Sequence, residues 1–184
     1  AERARARVLI LRLAALTGIA ADRARALEAL KAGSVARTLL AALGSRGGEK
    51  AERAVNRALV ASADHELNPS TFAVRIAAST QADLYACVSA GLSTLSGPKH
   101  GGECDRVEAL LHESGSPSQA RSTIQERARR GESIPGFGHS LYPQGDPRAL
   151  VLLEAANGLG SRSAALKTAL SLVEAMGNTE RGLP

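Results

Sequence analysis

An all-α fold is predicted by three observations. Apolar residues recur at helical spacing through most of the chain, no stretch alternates with the period of two that marks a strand, and the breaks fall at Gly, Pro, Ser or Asp. Hydrophobic residues make up 44% of the 184, yet aromatics only 2%, so the core must come from Ala, Leu and Val. Helices that meet through such small side chains approach closely. A chain of this length can bury one sizeable core, or one domain with a smaller lobe.

The elements follow in order. Glu2 to Leu16 carries Val8, Leu9, Leu11, Leu13 and Leu16 in a helical pattern that begins immediately after Ala1, which reads as a cut from a longer chain. Asp22 is placed to cap a short helix with Leu27 and Leu30 that stops near Gly33; Ser34 then caps Val35 to Leu43, and Gly44 ends it. Glu49 to Ala63 is the next helix, with Val55, Leu59 and Val60 expected inward. It runs into Asp64-His65-Glu66-Leu67-Asn68-Pro69, where Pro69 biases Asn68 out of the helical region. On local sequence His65 suits a helix C-terminus, where an imidazolium complements the dipole.

Ser70 opens the longest helical pattern, to about Ser96, apolar or small on nearly every side. Such a helix is expected at the centre of the fold or in a subunit interface. Gly97-Pro98-Lys99-His100-Gly101-Gly102 breaks it, and a helix with Val107, Leu110 and Leu111 follows to about Glu113. His100 therefore stands beside a helix N-terminus, whose positive dipole end disfavours imidazolium and keeps a neutral ring able to donate one hydrogen bond. A neutral electrophilic histidine in such a place is a known catalytic device. His112 falls on the polar part of its helix and reads as inert. After a capped turn at Ser116 to Ser118, Gln119 to Arg130 is helical up to Gly131.

Ile134 to Arg148 has no helical or strand period; it gathers three Gly, three Pro, two of the four aromatics, His139 and Arg148. A loop this irregular among Ala/Leu helices is suited to placing side chains. Asp146-Pro147 starts the helix that runs to about Ala156, with Asp as N-cap and Pro at the first position. Arg148 then sits in the first turn, where a cation opposes the dipole by about 0.3 to 1 kcal/mol unless an anion offsets it. Asn157 to Gly160 separates this from a last helix, about Ser163 to Met176, stopping at Gly177.

Composition narrows the function. The net charge of +5 arises from 23 basic and 18 acidic residues, interleaved, without a basic stripe or stacking aromatics, which argues against nucleic acid and leaves small anions as ligands. No apolar run reaches the ~20 residues that span a membrane. Two cysteines in helical surroundings and no secretory h-region favour a reducing cytoplasm. Zinc would call for His-Glu-x-x-His or paired cysteines, and neither spacing occurs, so no metal is expected. A Cys104 nucleophile lacks a third orienting group. Histidines 65, 100 and 139 all lie at helix ends or in Gly/Pro-rich loops; brought together beside a guanidinium, they would polarise carbonyls and bind carboxylates.

Three stretches, Ala63-Asp64-His65-Glu66-Leu67-Asn68, Gly97-Pro98-Lys99-His100-Gly101-Gly102, and Pro135-Gly136-Phe137-Gly138-His139 running on to Asp146-Pro147-Arg148-Ala149, resemble the citrate synthase family in order and spacing. The resemblance implies a multi-helical homodimeric acyltransferase that condenses acetyl-CoA with oxaloacetate to citrate and CoA, with no permanently bound cofactor. It implies that residues 1–113 are part of a large domain and residues 114–184 belong to a small CoA-binding domain. In the family, the counterpart of His100 hydrogen-bonds the thioester carbonyl as the methyl group loses its proton, and that of His139 donates to the oxaloacetate carbonyl. His65, Asn68 and Arg148 match positions that hold oxaloacetate, so the substrate carboxylate is the expected anion for Arg148. The backbone of Ile134, Pro135, Gly136, Phe137 and Gly138 matches the loop that accepts the CoA adenine.

The departures are specific. The family usually has Leu, Ala and Asn where this chain has Lys99, Glu103 and Cys104, and a basic residue at Pro143; Lys99 or Arg130 is the candidate substitute for holding a CoA phosphate. The counterparts of the family's general-base Asp and of a partner-subunit Arg would lie beyond Pro184, so the 184 residues alone are expected to be inactive. Propionyl-CoA in place of acetyl-CoA as the acyl donor is one alternative. A non-catalytic domain sensing a dicarboxylate or CoA ester is another, favoured by Glu103, Cys104 and Pro143, and a purely structural oligomerising domain is the third.

Overall fold

The computed structural model describes residues 2–63, 66–139, 142–160 and 163–179, with side chains to residue 177, and every regular element among them is helical. Among the described residues ten α-helices form: α1 Glu2–Leu16, α2 Arg23–Glu28, α3 Val35–Ala42, α4 Glu49–Ala61, α5 Pro69–Ser79, α6 Leu84–Leu95, α7 Glu103–Ser114, α8 Ala120–Arg129, α9 Pro147–Gly158 and α10 Ala164–Thr179.

The N-terminal helices pack through alanine. Ala14, Ala15, Ala26, Ala29, Ala36 and Ala42 are buried between α1, α2, the 3-10 turn Ala29–Lys31 and α3. The approach is close enough that a Cβ on Gly18 would stand 2.1 Å from the Ala42 carbonyl oxygen. Asp22 and Ser34 cap α2 and α3 as their sequence positions require, accepting from the Arg25 and Arg37 amides at 3.0 and 3.2 Å. Arg25 then closes the far end of α3 by donating Nε to the Ala42 carbonyl at 3.0 Å. On α4, Glu52 receives the Ser34 hydroxyl at 3.1 Å and Arg37 Nε at 2.7 Å, fixing α4 beside α3. Val60 departs from its expected inward position: it is 67% exposed, on the side of α4 that meets α9.

The expected long helix of residues 70–96 is two helices folded into a hairpin. Ser79 and Thr80 turn their hydroxyls onto the Ile76 and Ala77 carbonyls at 2.7 Å, Gln81 takes a left-handed φ of 62°, and Asp83 caps α6 by accepting from the Tyr85 and Ala86 amides. Hydroxyl and carboxylate side chains that compete for backbone groups favour ends over interiors, and Ser79, Thr80 and Asp83, gathered within five residues, outweighed the helical periodicity on either side. Small residues let the two limbs meet closely: a Cβ on Gly91 would lie 2.6 Å from Val74 Cγ2. The hairpin is not central in a single copy of the chain. Phe72, Ile76 and Tyr85 are each more than half exposed, with Leu92 and Leu95 close behind.

The second apolar core lies among α7, α8 and α10, where Leu110, Ala120, Ile124, Leu172 and Ala175 are buried and Leu111, Ile134, Phe137 and Met176 pack against them. Arg127 binds Glu113 at 2.6 Å and the Ser133 carbonyl at 3.1 Å, and Arg130 binds Glu132 at 2.7 Å, so ionic contacts tie the end of α8 to α7 and to the loop that follows. That loop ends in α9, which packs on α4.

Candidate functional site

His100 is held by a turn that admits little variation. The Gly101 amide reaches back to the Leu95 carbonyl at 2.8 Å and the His100 amide to Gly97 at 2.9 Å; a Cβ on Gly101 would fall 2.5 Å from the Leu95 oxygen. The turn delivers the half-buried imidazole to α5, where Nε2 meets Ser70 Oγ at 2.9 Å. Asn68 caps α5, its Oδ1 accepting from the Thr71 amide at 2.8 Å and from Ser70 Oγ at 2.9 Å.

Formed together, these contacts select one arrangement of protons. An amide N–H only donates, so the Asn68 atom facing Thr71 is the carbonyl oxygen, and the Ser70 hydroxyl must donate to it. Ser70 Oγ then accepts from the ring, which places the imidazole hydrogen on Nε2. A neutral His100 so arranged presents Nδ1 as an acceptor. The expected donor edge arises only when the Ser70 hydroxyl turns away from Asn68 and donates to Nε2.

The second group of predicted residues lies in the loop before α9. Pro135 is buried and Gly136, at φ 82°, presses on α7: a Cβ there would meet Val107 Cγ2 at 2.9 Å. Phe137 packs against the second core. Beyond it the His139 and Tyr142 rings stand 5.1 Å apart between centroids, and the Arg148 guanidinium lies 5.3 Å from the centre of Tyr142, within cation–π range.

Asp146 does two jobs. It caps α9 by accepting from the Arg148 amide at 2.9 Å, and both its oxygens take the same residue's side chain, Nε at 2.9 and 3.0 Å and Nη2 at 2.5 Å. Chiefly because Arg148 donates to it, the Asp146 carboxyl is pulled down to about 2, with His139 adding to the pull. Asp146 is thus the anion that offsets Arg148 in the first helical turn; the sequence pointed to a substrate carboxylate there. The other flank of Arg148 borders a groove of about 500 Å³ between α4 and α9, lined also by Asn56, Arg57, Val60, Pro147 and Val151.

His100 and Asn68 are therefore joined through Ser70, and His139 and Arg148 through Tyr142 and Asp146. His65 lies outside the described residues. Of Ile134 to Gly138, Gly136 lies against α7 at Val107, and Ile134 and Phe137 pack on the core that α7 shares with α8 and α10. Sequence reasoning missed Ser70 and Tyr142: Ser70 looks like an ordinary first-turn serine, and nothing local shows that residue 100 folds back onto it. His112 is exposed beside Glu108. Among the described residues no three His, Cys, Asp or Glu side chains gather to hold a metal ion, and Cys87 and Cys104 are unbridged. No helix among them is long and apolar enough to cross a membrane.

Comparison with known proteins matches residues 1–183 to the family model described as citrate synthase, C-terminal domain. Citrate synthase 2 of Bacillus subtilis is 44% identical over 101 residues, covering 55% of this chain and 27% of that protein. Among solved structures, citryl-CoA lyase from Hydrogenobacter thermophilus superposes with a TM-score of 0.69 at 28% identity, covering 84% of this chain and 61% of the other. The ternary complex of carboxymethyl coenzyme A and oxaloacetate with citrate synthase from Thermoplasma acidophilum gives 0.64 at 28% identity, covering 80% and 41%. The chain spans less than two thirds of the length of each of these proteins.

Proposed function

This chain belongs to the citrate synthase family, and from that premise we propose that the protein carrying it condenses acetyl-CoA with oxaloacetate and hydrolyses the resulting citryl thioester with water, giving citrate and CoA. The observation that carries the reading is the Asn68–Ser70–His100 chain of hydrogen bonds, which holds one imidazole at a fixed angle with its Nδ1 edge free of that chain. In the proposed reaction the acyl thioester lies against that edge. When the Ser70 hydroxyl swings to Nε2, the ring proton sits on Nδ1, and the N–H polarises the thioester carbonyl as the neighbouring methyl gives its proton to the family's general-base Asp, whose counterpart is expected beyond Pro184. Charge developing on the oxygen is stabilised by a donor already in place.

His139 is assigned to the oxaloacetate ketone, and Arg148 with His65 and Asn68 to its carboxylates. Asp146 occupies Nε and one edge of Nη2 on Arg148; the outer edge of the fork serves the ligand and the bidentate pair keeps the fork from swinging. The backbone of Ile134 to Gly138 is assigned to the nucleotide end of the acyl-CoA, which is a substrate and not a resident cofactor. Residues 1–113 are assigned to a large domain and 114–184 to the small one, with α9 on α4 as a contact between them. The exposed apolar residues of the α5–α6 hairpin support a homodimer built on that face, in a cytoplasmic protein. Propionyl-CoA is the second acyl donor to try.

The test is oxaloacetate-dependent release of CoA from acetyl-CoA by the purified protein at its natural length. His100→Ala should lower the turnover by about 10² to 10⁴, the range of a positioned proton-handling group. No oxaloacetate-dependent release from either acyl-CoA, or turnover indifferent to His100→Ala, would contradict the reading.

A further inference from the structure

Glu103 and Arg106, one helical turn apart at the start of α7, make contacts that the predicted site does not use. Glu103 Oε1 accepts from the Gly136 amide at 3.3 Å, while Oε2 pairs with Arg106. Arg106 Nη2 in turn donates to the Pro98 carbonyl at 2.6 Å. The chain of contacts therefore runs from the turn that carries His100, across the first turn of α7, to the Ile134–Gly138 backbone. Val107 adds an apolar contact beneath Gly136 on the same helix. A carboxylate is well placed at Glu103 for two further reasons: the first turn of a helix favours an anion, and Arg106 neutralises the charge that would otherwise repel a phosphorylated ligand.

We infer that Glu103 and Arg106 form a strut that sets the separation between the His100 turn and the 134–138 loop, making Glu103 a positioning residue for the nucleotide end of the acyl-CoA. The inference rests on the functional reading above for the identity of that ligand, but the strut is defined by geometry alone. Gly136 stands at a positive φ, open to many conformations in the free chain. Fixing its amide against Glu103 removes that freedom before the ligand arrives, and pre-ordered backbone binds more tightly because less entropy is lost on binding. At the other end, Arg106 steadies the carbonyl two residues before His100. Truncating the two members should therefore affect different quantities: Glu103 the affinity for acyl-CoA, Arg106 the turnover.

The test uses the natural-length protein with acetyl-CoA and oxaloacetate, together with hydrogen exchange of the peptide covering Ile134–Gly138. Glu103→Ala should raise the acyl-CoA KM about tenfold, the scale of a lost charge-assisted hydrogen bond, with a smaller change in kcat and faster exchange in that peptide. Glu103→Gln keeps an acceptor oxygen toward Gly136 and should recover most of both effects. Arg106→Ala should lower kcat more than it raises KM. Unchanged exchange and unchanged KM in Glu103→Ala would overturn the strut, as would a Gln variant no better than Ala. If no acyl-CoA is turned over by the parent protein, the functional reading fails by itself, and the exchange of the 134–138 peptide in Glu103→Ala against Glu103→Gln still decides whether the strut exists.

Discussion

Around His100 the contacts are neutral and reach across the chain, from residue 100 to residues 68 and 70, whereas around Arg148 they are ionic and local, from residue 148 to 146 and 142. The two arrangements fail differently. The hydrogen-bond chain needs the α5–α6 hairpin and the 97–102 turn to stay docked. The ion pair forms within three residues of one helix start and survives loosening of the tertiary structure, but it needs an ionised carboxylate. A site assembled from both would have one half set by packing and the other by charge.

The sharpest way to break that contrast is Ser70→Ala. The ring loses the acceptor that fixes its tautomer, and a net hydrogen bond of about 1 kcal/mol corresponds to about a fivefold fall in turnover. The direct readout is ¹⁵N NMR of His100: the neutral ring should be the Nε2–H form in the parent and a mixture of tautomers in Ser70→Ala. An unchanged tautomer would show that Ser70 does not set it.

A smaller effect should mark the ionic half. The Asp146 carboxyl sits near 2 when folded, below its unfolded value near 4. Its pairing with Arg148 therefore contributes stability in full above about pH 4 to 5, and loses that contribution as the pH falls toward 2. Asp146→Asn retains a capping oxygen but not the charge, so the gap in melting temperature between parent and variant should be flat at neutral pH and close between about pH 4 and pH 2. The same variant should leave the His100 tautomer untouched. No gap at neutral pH would mean that Asp146 acts as a cap alone, and a gap that persists at pH 2 would mean that it does not come from the carboxylate charge.

Much of this was legible in the chain because the signals are local. Asp22, Ser34 and Asp146 cap the helices they precede, and the three loop stretches bearing His65, His100 and His139 carry the family resemblance in their residue types and spacing. The break at Gln81 was hidden by an apolar pattern that runs through it, since periodicity reports burial and not continuity of the backbone. Val60 misled for a related reason: an apolar residue in register need not face the core when a second helix, α9, arrives from ninety residues later. Ser70 and Glu103 could not be found, because each acts on a loop some thirty residues away and nothing in its own neighbourhood encodes the partner. The anion for Arg148 was two residues away, and was passed over because Asp146 already had a role as cap.

The claim on which the functional account depends is that the neutral and ionic halves serve a single bound pair of substrates. The measurement that tests it most directly is a crystal structure of the natural-length protein with oxaloacetate and carboxymethyl coenzyme A. The account predicts oxaloacetate carboxylates on Arg148, its ketone within hydrogen-bond reach of His139, and the acyl carbonyl facing Nδ1 of His100 in the same cleft. His100 and His139 facing separate surfaces, with the ligands bound elsewhere, would contradict it.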